Sequence, residues 1–460
     1  MWPIKTILYF LLFWLACFAS LVNPIWGVVN YMIAYQTNPT NTWWGEPLES
    51  LGMRFSLLAS IFLLIGLVTG RRKVPGAMPT FSAWEGCIFA VMACVLLNIV
   101  LGATYDHRSV MAIDKLWKML LFVLVLGRMA SSRRNMHLVF WSLVIGSMYV
   151  GYDAYSAGRS DFFEGRLNRI GGPDFSTSSG TAAHISAMLP LMGTVFLTSP
   201  GWMAKAIATL SAGFAVNAIV LCRTRSAFIG MFVGALVALL LAPRTRRFRI
   251  YVLFLIGGAM AYSLTDDHFW DRMKTLTNRD AMSTDLAAVS RTEIWKVSFK
   301  IMGDYPLGIG AGNFARVITW YEPRYAKRST HNTVLVCFVE LGIQGGLLFL
   351  TMFGLSLKYL FQCYRLAPFS RNPQETVLMA YGLLVSCVTY FVTGLGTERF
   401  YCESFWWVLV LPVSLYRIVT AEAMECGRIA PAPDAIDDFS LTVPQDDPET
   451  DRHSPRGAFA

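Results

Sequence analysis

Charged residues are absent from long stretches of this chain. Uncharged stretches cover residues 6–45, 56–70, 86–105, 206–222, 226–243, 250–265 and 376–397. A helix needs roughly 20 mostly apolar residues to cross a bilayer. The pattern therefore predicts an all-α fold, a polytopic transmembrane helix bundle with about 12–13 spans.

The first 35 residues allow two interpretations. An Asn23-Pro24 pair interrupts the apolar sequence, and proline breaks or kinks a helix. The segment forms either two short helices or one long kinked span.

The loops between the uncharged stretches differ in charge. Four loops collect lysine and arginine without Asp or Glu, at 71–73, 128–134, 244–249 and 358–371. Because short cytoplasmic loops are enriched in Lys and Arg, these four are predicted to be cytoplasmic. The alternate loops, which are mixed or acidic, are then external.

One external loop is long, spanning residues 266–330. Within it, residues 290–303 place Ile294, Val297 and Ile301 on one helical face, which predicts an amphipathic helix on the membrane or over a cavity. The predicted divisions are transmembrane helices over 1–265, the external loop over 266–330, C-terminal transmembrane helices over 331–428 and a disordered cytoplasmic tail over 429–460.

Composition supports the membrane assignment. Hydrophobic residues make up 55% and charged residues 15% of the 460, whereas a soluble domain carries about 25% charged residues. The net charge of +9 comes from the basic loops and does not indicate nucleic-acid binding. The nine cysteines show no paired spacing, so we interpret them as small core residues.

Two arginines stand at the external end of a predicted span. Arg223 and Arg225 are flanked directly by apolar sequence. Arginine binds phosphate through a planar fork, so the pair could form a site. Alternatively, both side chains simply extend to the membrane–water interface. The sequence leaves the two interpretations open.

Three further features accompany the long loop. The glycine run Gly308–Gly312 lacks the GK[ST] signature of a nucleotide loop and predicts a tight turn that allows close backbone approach. His331, at the start of the next span, could act as a base or cap the helix. Glu340 lies nine residues further along the same predicted helix, too far to contact His331 directly. We interpret its carboxylate as forming a structural hydrogen bond to another helix.

Together, these motifs resemble the O-antigen ligase and polymerase family of bacterial envelope glycosyltransferases. The resemblance covers residues 166–350 and rests on the arginine pair, the Arg-x-x-Ile-Trp and Pro-Leu-Gly-Ile-Gly-Ala-Gly-Asn-Phe segments, His-Asn, and Glu-Leu-Gly-x-x-Gly. An earlier external segment, Arg166 to Pro173, is also similar to that family. The segment Tyr31 to Trp44 resembles members associated with exosortase systems.

The resemblance implies an enzyme of the bacterial cytoplasmic (inner) membrane that acts on its periplasmic face. It implies transfer of a glycan from a polyprenyl-diphosphate carrier to a hydroxyl on lipid A core, a glycan or a protein, with no metal or nucleotide. His331 and Arg291 are then the expected catalytic residues. Arg223, Arg225, Arg166 and Arg169 are the expected substrate-binding residues, and the resemblance does not decide which of the first two is essential.

Other functions are compatible with the same features. A polymerase of the same family would use the same residues. A transporter for the lipid-linked glycan should show inverted repeats and broken helices near the midplane. The sequence shows neither, although Pro190 breaks one span. A structural membrane subunit would not need the long charged loop.

Overall fold

The computed structural model describes residues 3–69, 81–168, 170–274 and 286–426. Its helices are α1 (Ile4–Val22), α2 (Ile25–Thr37), α3 (Glu46–Glu49), α4 (Phe55–Thr69), α5 (Ala83–Leu101), α6 (His107–Met129), α7 (Arg133–Tyr155), α8 (Ser178–Thr198), α9 (Trp202–Cys222), α10 (Arg225–Leu240), α11 (Arg247–Leu264), α12 (Asp267–Lys274), α13 (Leu286–Asp304), α14 (Phe314–Tyr321), α15 (Thr333–Leu366), α16 (Pro373–Gly394) and α17 (Glu403–Glu425). Strands β1 (Phe162–Phe163) and β2 (Arg166–Leu167) pair antiparallel. The all-α prediction is confirmed.

Eight of the described helices are long and apolar enough to cross a membrane: α1, α5, α8, α9, α11, α15, α16 and α17. Two shorter apolar helices, α4 and α10, and two helices of 23 residues, α6 and α7, extend the set. This protein is therefore a multi-pass membrane protein. The predicted number of 12–13 spans stays a prediction.

The N-terminal segment forms two helices. They separate at Asn23 and Pro24, because proline offers no N–H to continue the hydrogen-bond ladder. The chain then folds back, and Asn30 Nδ2 donates to the Phe13 carbonyl over 3.2 Å. The alternative of one long kinked span is thus excluded.

Ion pairs gather at one end of the bundle. Arg133, at the start of α7, contacts Glu422 near the end of α17 over 2.6 Å and Glu375 at the start of α16 over 3.4 Å. Arg371 pairs with Glu425 over 2.5 Å. The basic segments 128–134 and 365–371 therefore share one end, as their predicted orientation requires. Residues 71–73 and the tail 429–460 lie outside the described residues.

Helix α17 forms the centre of the bundle. Nearly all of it is buried, including Phe405, Trp406 and Trp407. In contrast, α11 buries only Ile250 and exposes large apolar side chains along its length. Exposed apolar surface of this extent is typical of helices that face lipid.

The long loop forms a small layer over the end opposite the ion pairs. In α13, Ile294 and Ile301 are buried against Phe314 and Val339, whereas the outward residue Lys300 is exposed. This confirms the amphipathic helix and places it over the start of α15. The nine cysteines are free. Six are buried, which confirms their interpretation as core residues, whereas Cys87 and Cys94 are half-buried and Cys426 is exposed.

Candidate active site

His331 lies in the turn that precedes α15. Its backbone is left-handed, with φ of 50°, a conformation that is uncommon outside glycine and asparagine. The side chain that caps α15 is that of the neighbouring Asn332, which accepts from Leu335 N over 3.0 Å. His331 is therefore not the helix cap, and one of its two sequence-based interpretations is excluded. Its Nδ1 lies 3.4 Å from Ser329 Oγ.

The charges of two arginines affect the pKa of the His331 imidazole. Partial burial, followed by the charges of Arg291 on α13 and Arg328 in the preceding turn, lowers the pKa of His331 to about 4. The structure thus joins His331 and Arg291, the two residues expected to be catalytic. Because the pKa lies well below 7, the imidazole is neutral and can accept a proton.

The turn that carries His331 is held by its neighbours. The buried Thr330 accepts from Trp295 Nε1 at its carbonyl over 2.9 Å, and its hydroxyl lies 3.4 Å from Glu398 Oε2. Thr333 Oγ1 donates to the Thr397 carbonyl over 2.9 Å. These contacts hold the chain on both sides of His331 against α13 and against the loop between α16 and α17.

That loop supplies two charged groups which the sequence did not single out. Burial, and then the charge of Glu340, raises the pKa of Glu398 to about 7. Arg399 donates from Nη1 to the Asp174 carbonyl over 3.1 Å, which ties this loop to the segment before α8. No local sequence signal marks Glu398 or Arg399, because their partners lie more than 60 residues away.

The structure separates the arginine pair. Arg225 is buried at the first position of α10, and its neighbour Ser226 packs against Gly396, two residues from Glu398. Arg223 ends α9 in a left-handed conformation, with φ of 47°. Its guanidinium donates to the Gly165 carbonyl and pairs with Asp266. The start of α10, which carries Arg225, therefore packs against the loop that carries Glu398. The Arg223 side chain instead contacts the external loop of residues 153–174 and Asp266.

The remaining expected substrate-binding residues belong to that loop. Arg166 lies on β2 and shares a surface pocket with Arg223. Arg169 lies outside the described residues. Among the described residues, Arg166 and Arg223 thus share one pocket, whereas Arg225 lies at the start of α10.

The glycine run anchors the long loop in α15. Gly308, Gly310 and Gly312 all have positive φ, and a Cβ at Gly308 would lie 2.6 Å from the Glu340 carbonyl oxygen. Ile309 N donates to the Val339 carbonyl over 3.0 Å. The prediction of a turn with close backbone approach is confirmed.

Helix α15 is broken where the glycine run meets it. Gly342 has φ of 78° and ψ of −179°. The sequence predicted a break at Pro190, which instead lies inside the continuous helix α8, so that expectation was wrong. Ile343 N donates to the Pro306 carbonyl over 3.0 Å, and Gly310 N donates to the Glu340 carbonyl over 3.0 Å. The protein's own loop thus satisfies the freed backbone groups, which is the condition for a break at membrane depth.

The Glu340 carboxylate binds the same loop. Its oxygens accept from Gly312 N over 2.9 Å, Phe314 N over 3.0 Å and the Tyr401 hydroxyl over 2.5 Å. The structural role is as expected, but the partners are the glycine run and the loop residue Tyr401 rather than another helix. Glu340 therefore fixes the end of the glycine run to α15.

Comparison with known families agrees with this geometry. Residues 210–350 match the family model for O-antigen ligase. The matched region includes Arg223, Arg225, Arg291 and His331, whereas Arg166 and Arg169 precede it. A search of curated proteins finds no match.

Proposed function

We propose that this protein, a member of the O-antigen ligase family, transfers a glycan from a polyprenyl-diphosphate carrier to an acceptor hydroxyl. The proposal rests on the position of His331 in the turn before α15, within electrostatic range of Arg291 and Arg328, whose charges, after burial, lower the pKa of its imidazole. A base and fixed cations in one place are what displacement of a diphosphate by a hydroxyl requires.

His331 acts as the general base. It accepts the acceptor's hydroxyl proton while that oxygen attacks the anomeric carbon. The bond from this carbon to the diphosphate oxygen breaks, and the diphosphate leaves with the bonding electrons. A single displacement inverts the anomeric centre, and the imidazolium then returns its proton to water.

Arg291 and Arg225 stabilise the leaving diphosphate. A guanidinium remains charged at all relevant pH and presents parallel donors to phosphate oxygens. The burial of Arg225 and the partial burial of Arg291 reduce screening by water. Arg223 and Arg166 extend the cationic surface toward the substrate. Arg169, which lies outside the described residues, remains an expected substrate-binding residue.

Binding of the donor strengthens the base. The charges of Arg291 and Arg328 help to hold the pKa of His331 at about 4. A bound diphosphate offsets these charges, so the pKa rises toward the ordinary value near 6.5. His331 therefore becomes a better proton acceptor when the donor is in place.

We place this reaction on the periplasmic face of the bacterial inner membrane. The supporting observation is that Arg133 and Arg371 gather at the end of the bundle opposite His331, and basic short loops mark the cytoplasmic side. The acceptor, whether lipid A core, glycan or protein, is then reached from outside.

Transfer by the purified protein tests the proposal. Wild-type protein, given a polyprenyl-diphosphate glycan and a hydroxyl acceptor, should release polyprenyl diphosphate and form a glycoside. His331→Asn should reduce the rate by about 10²–10⁴-fold, the usual contribution of a general base. His107→Asn, at an exposed histidine of α6, is the matched control and should retain the wild-type rate. An active His331→Asn enzyme would remove His331 from the base role.

Analysis of the envelope distinguishes ligase from polymerase. In a deletion strain, full-length polymer retained on its carrier indicates a ligase. Single repeat units on the carrier indicate a polymerase of the same family. The transporter alternative predicts that the purified protein forms no glycoside.

A further inference from the structure

The turn that follows α13 presents apolar side chains at the surface of the bundle. Pro306 is exposed, and the Leu307 side chain is 48% exposed. A single exposed leucine is common on protein surfaces and needs no explanation by itself. The place of this turn in the fold gives it a different meaning, because two membrane-spanning helices, α5 and α15, lie beside it.

Backbone contacts fix the level of the turn along both helices. In α15, Ile343 N donates to the Pro306 carbonyl over 3.0 Å. Just after the turn, the Ile309 carbonyl accepts from Ala103 N over 3.1 Å, and α5 ends close by at Leu101. The turn therefore lies beside the last turn of α5 and beside the break in α15.

The parts of α5 and α15 at this level expose apolar side chains. In the last turn of α5, Val100 is 80% exposed and Leu101 is about half exposed. Ile343 and Leu347 of α15 are exposed to a similar extent as Leu101. Exposed apolar side chains on spanning helices face lipid, so the exposed Leu307 extends a lipid-facing surface.

The backbone of the turn suits a position in lipid. All three carbonyls of residues 305–307 accept hydrogen bonds from within the protein, over 2.9, 3.0 and 2.9 Å, from Gly308 N, Ile343 N and Gln344 Nε2. Pro306 has no N–H to satisfy. Among the described residues, the Leu307 N–H is the one donor of this turn without an acceptor. Lipid offers no hydrogen bonds, so irregular backbone is tolerated there only where protein groups satisfy it.

The apolar face of α13 does not provide this lipid contact. The sequence predicted that this helix lies on the membrane or over a cavity, and the structure buries Ile294 and Ile301 against α14 and α15. Contact of the long loop with lipid therefore falls to the turn at the end of α13, where the exposed side chains are Pro306 and Leu307.

We propose that the turn of residues 305–307 inserts into the membrane leaflet at this end of the bundle and contacts acyl chains through Leu307. The turn then anchors the end of α13 at the membrane surface. Because Arg291 lies on the same helix, the anchor also sets the depth of that arginine relative to the lipid. The lipid contact does not depend on the proposed transfer reaction, since it can be measured without turnover.

Photocrosslinking tests the contact. Leu307 is replaced by p-benzoylphenylalanine in the full-length protein, which is reconstituted into phosphatidylcholine vesicles and irradiated. Intact mass spectrometry should show a mass increase of one phospholipid. The same replacement at Leu347 is the positive control, and replacement of the exposed loop residue Ala326 should give no lipid adduct. The proposal is wrong if Leu307 gives no lipid adduct while Leu347 does, if Leu307 and Ala326 give equal lipid adducts, or if Leu307 crosslinks two copies of the chain instead.

A second label covers the case in which the larger residue disturbs the fold. In a Cys426→Ser background, Leu307→Cys carries a nitrobenzoxadiazole fluorophore, protein without the added cysteine gives the labelling background, and thermal melting shows that each variant is folded. Nitroxide-labelled phosphatidylcholine should quench the emission more than aqueous iodide does, whereas Ala326→Cys should show the opposite order. Stronger quenching of the Leu307→Cys label by iodide would overturn the proposal. His331→Asn should lose transfer and keep the lipid adduct, so a failure of the proposed reaction is distinguishable from a failure of this inference.

Discussion

Replacing Glu340 with glutamine should loosen the long external loop. Its carboxylate accepts from Gly312 N, Phe314 N and the Tyr401 hydroxyl at 2.9, 3.0 and 2.5 Å. The two N–H groups can only donate, so the site requires an acceptor on both carboxylate oxygens. Glutamine has the same shape but offers one oxygen and one NH₂ group.

The magnitude follows from the best orientation available to the amide. Its oxygen can replace Oε2, which serves Gly312 and Tyr401. The NH₂ group then faces Phe314 N–H, and a buried donor without an acceptor costs about 1–3 kcal/mol. The remaining two hydrogen bonds also weaken, because the acceptor no longer carries a charge. We therefore expect Glu340→Gln to destabilise the protein by about 2–4 kcal/mol.

Thermal melting of the purified protein and limited proteolysis of the loop measure this effect. Glu340→Gln should lower the melting temperature, speed cleavage within 266–330 and reduce transfer, because α13 carries Arg291. Tyr401→Phe removes a hydroxyl that donates to Glu340 and accepts from Gly312 N over 3.0 Å. It should have a smaller effect, because Gly312 N and Phe314 N keep the carboxylate as their acceptor. Glu49→Gln, at an exposed glutamate on α3, should behave as wild type. Unchanged melting and cleavage in Glu340→Gln would show that the carboxylate does not anchor the loop.

Three further predictions concern the active site and the topology. The kcat/KM of transfer should fall only as the pH drops through about 4, because the pKa of His331 in the free enzyme is lowered to that value. The kcat should fall at a higher pH, because the donor is then bound and raises this pKa. A kcat/KM that falls steadily from about pH 5.5 to 7.5 would exclude a neutral base. Arg291→Lys and Arg225→Lys should each reduce transfer at least about tenfold at unchanged protein level, since lysine keeps the charge and loses the fork; wild-type rates in both would refute the diphosphate role. With the exposed cysteine among the nine changed to serine, an impermeant thiol reagent should label Ala326→Cys and spare Thr245→Cys in spheroplasts, and the reverse pattern would invert the topology.

Features with a local sequence signal were predicted well. The break at Asn23 and Pro24 follows from the missing proline N–H, and the helix over 290–303 follows from its periodicity. The glycine run predicted close backbone approach because only glycine tolerates positive φ without cost. In each case the signal lies within a few residues of the structure that it specifies.

Features that depend on distant partners could not be predicted. Gly342 gave no sign of breaking α15, because the break depends on the carbonyl of Pro306 and the other backbone groups of the glycine run. The same limit applies to Glu398, which is placed by Thr330 from 68 residues away. A sequence pattern predicts which face of a helix is apolar. It does not predict which helix ends lie together, and these contacts depend on that.

The arginine pair shows how two adjacent cations acquire different surroundings. The chain reverses between α9 and α10, and the left-handed backbone of Arg223 is part of that reversal. Arg223 then faces the β1–β2 turn and Asp266, whereas Arg225 begins a helix whose next residue packs against Gly396. Both residues lie at the same end of the bundle, so the charge pattern of the sequence does not distinguish them. Because α10 packs against the loop that carries Glu398, whereas Gly165 and Asp266 hold the Arg223 guanidinium, we prefer Arg225 as the arginine that binds the proposed diphosphate near His331.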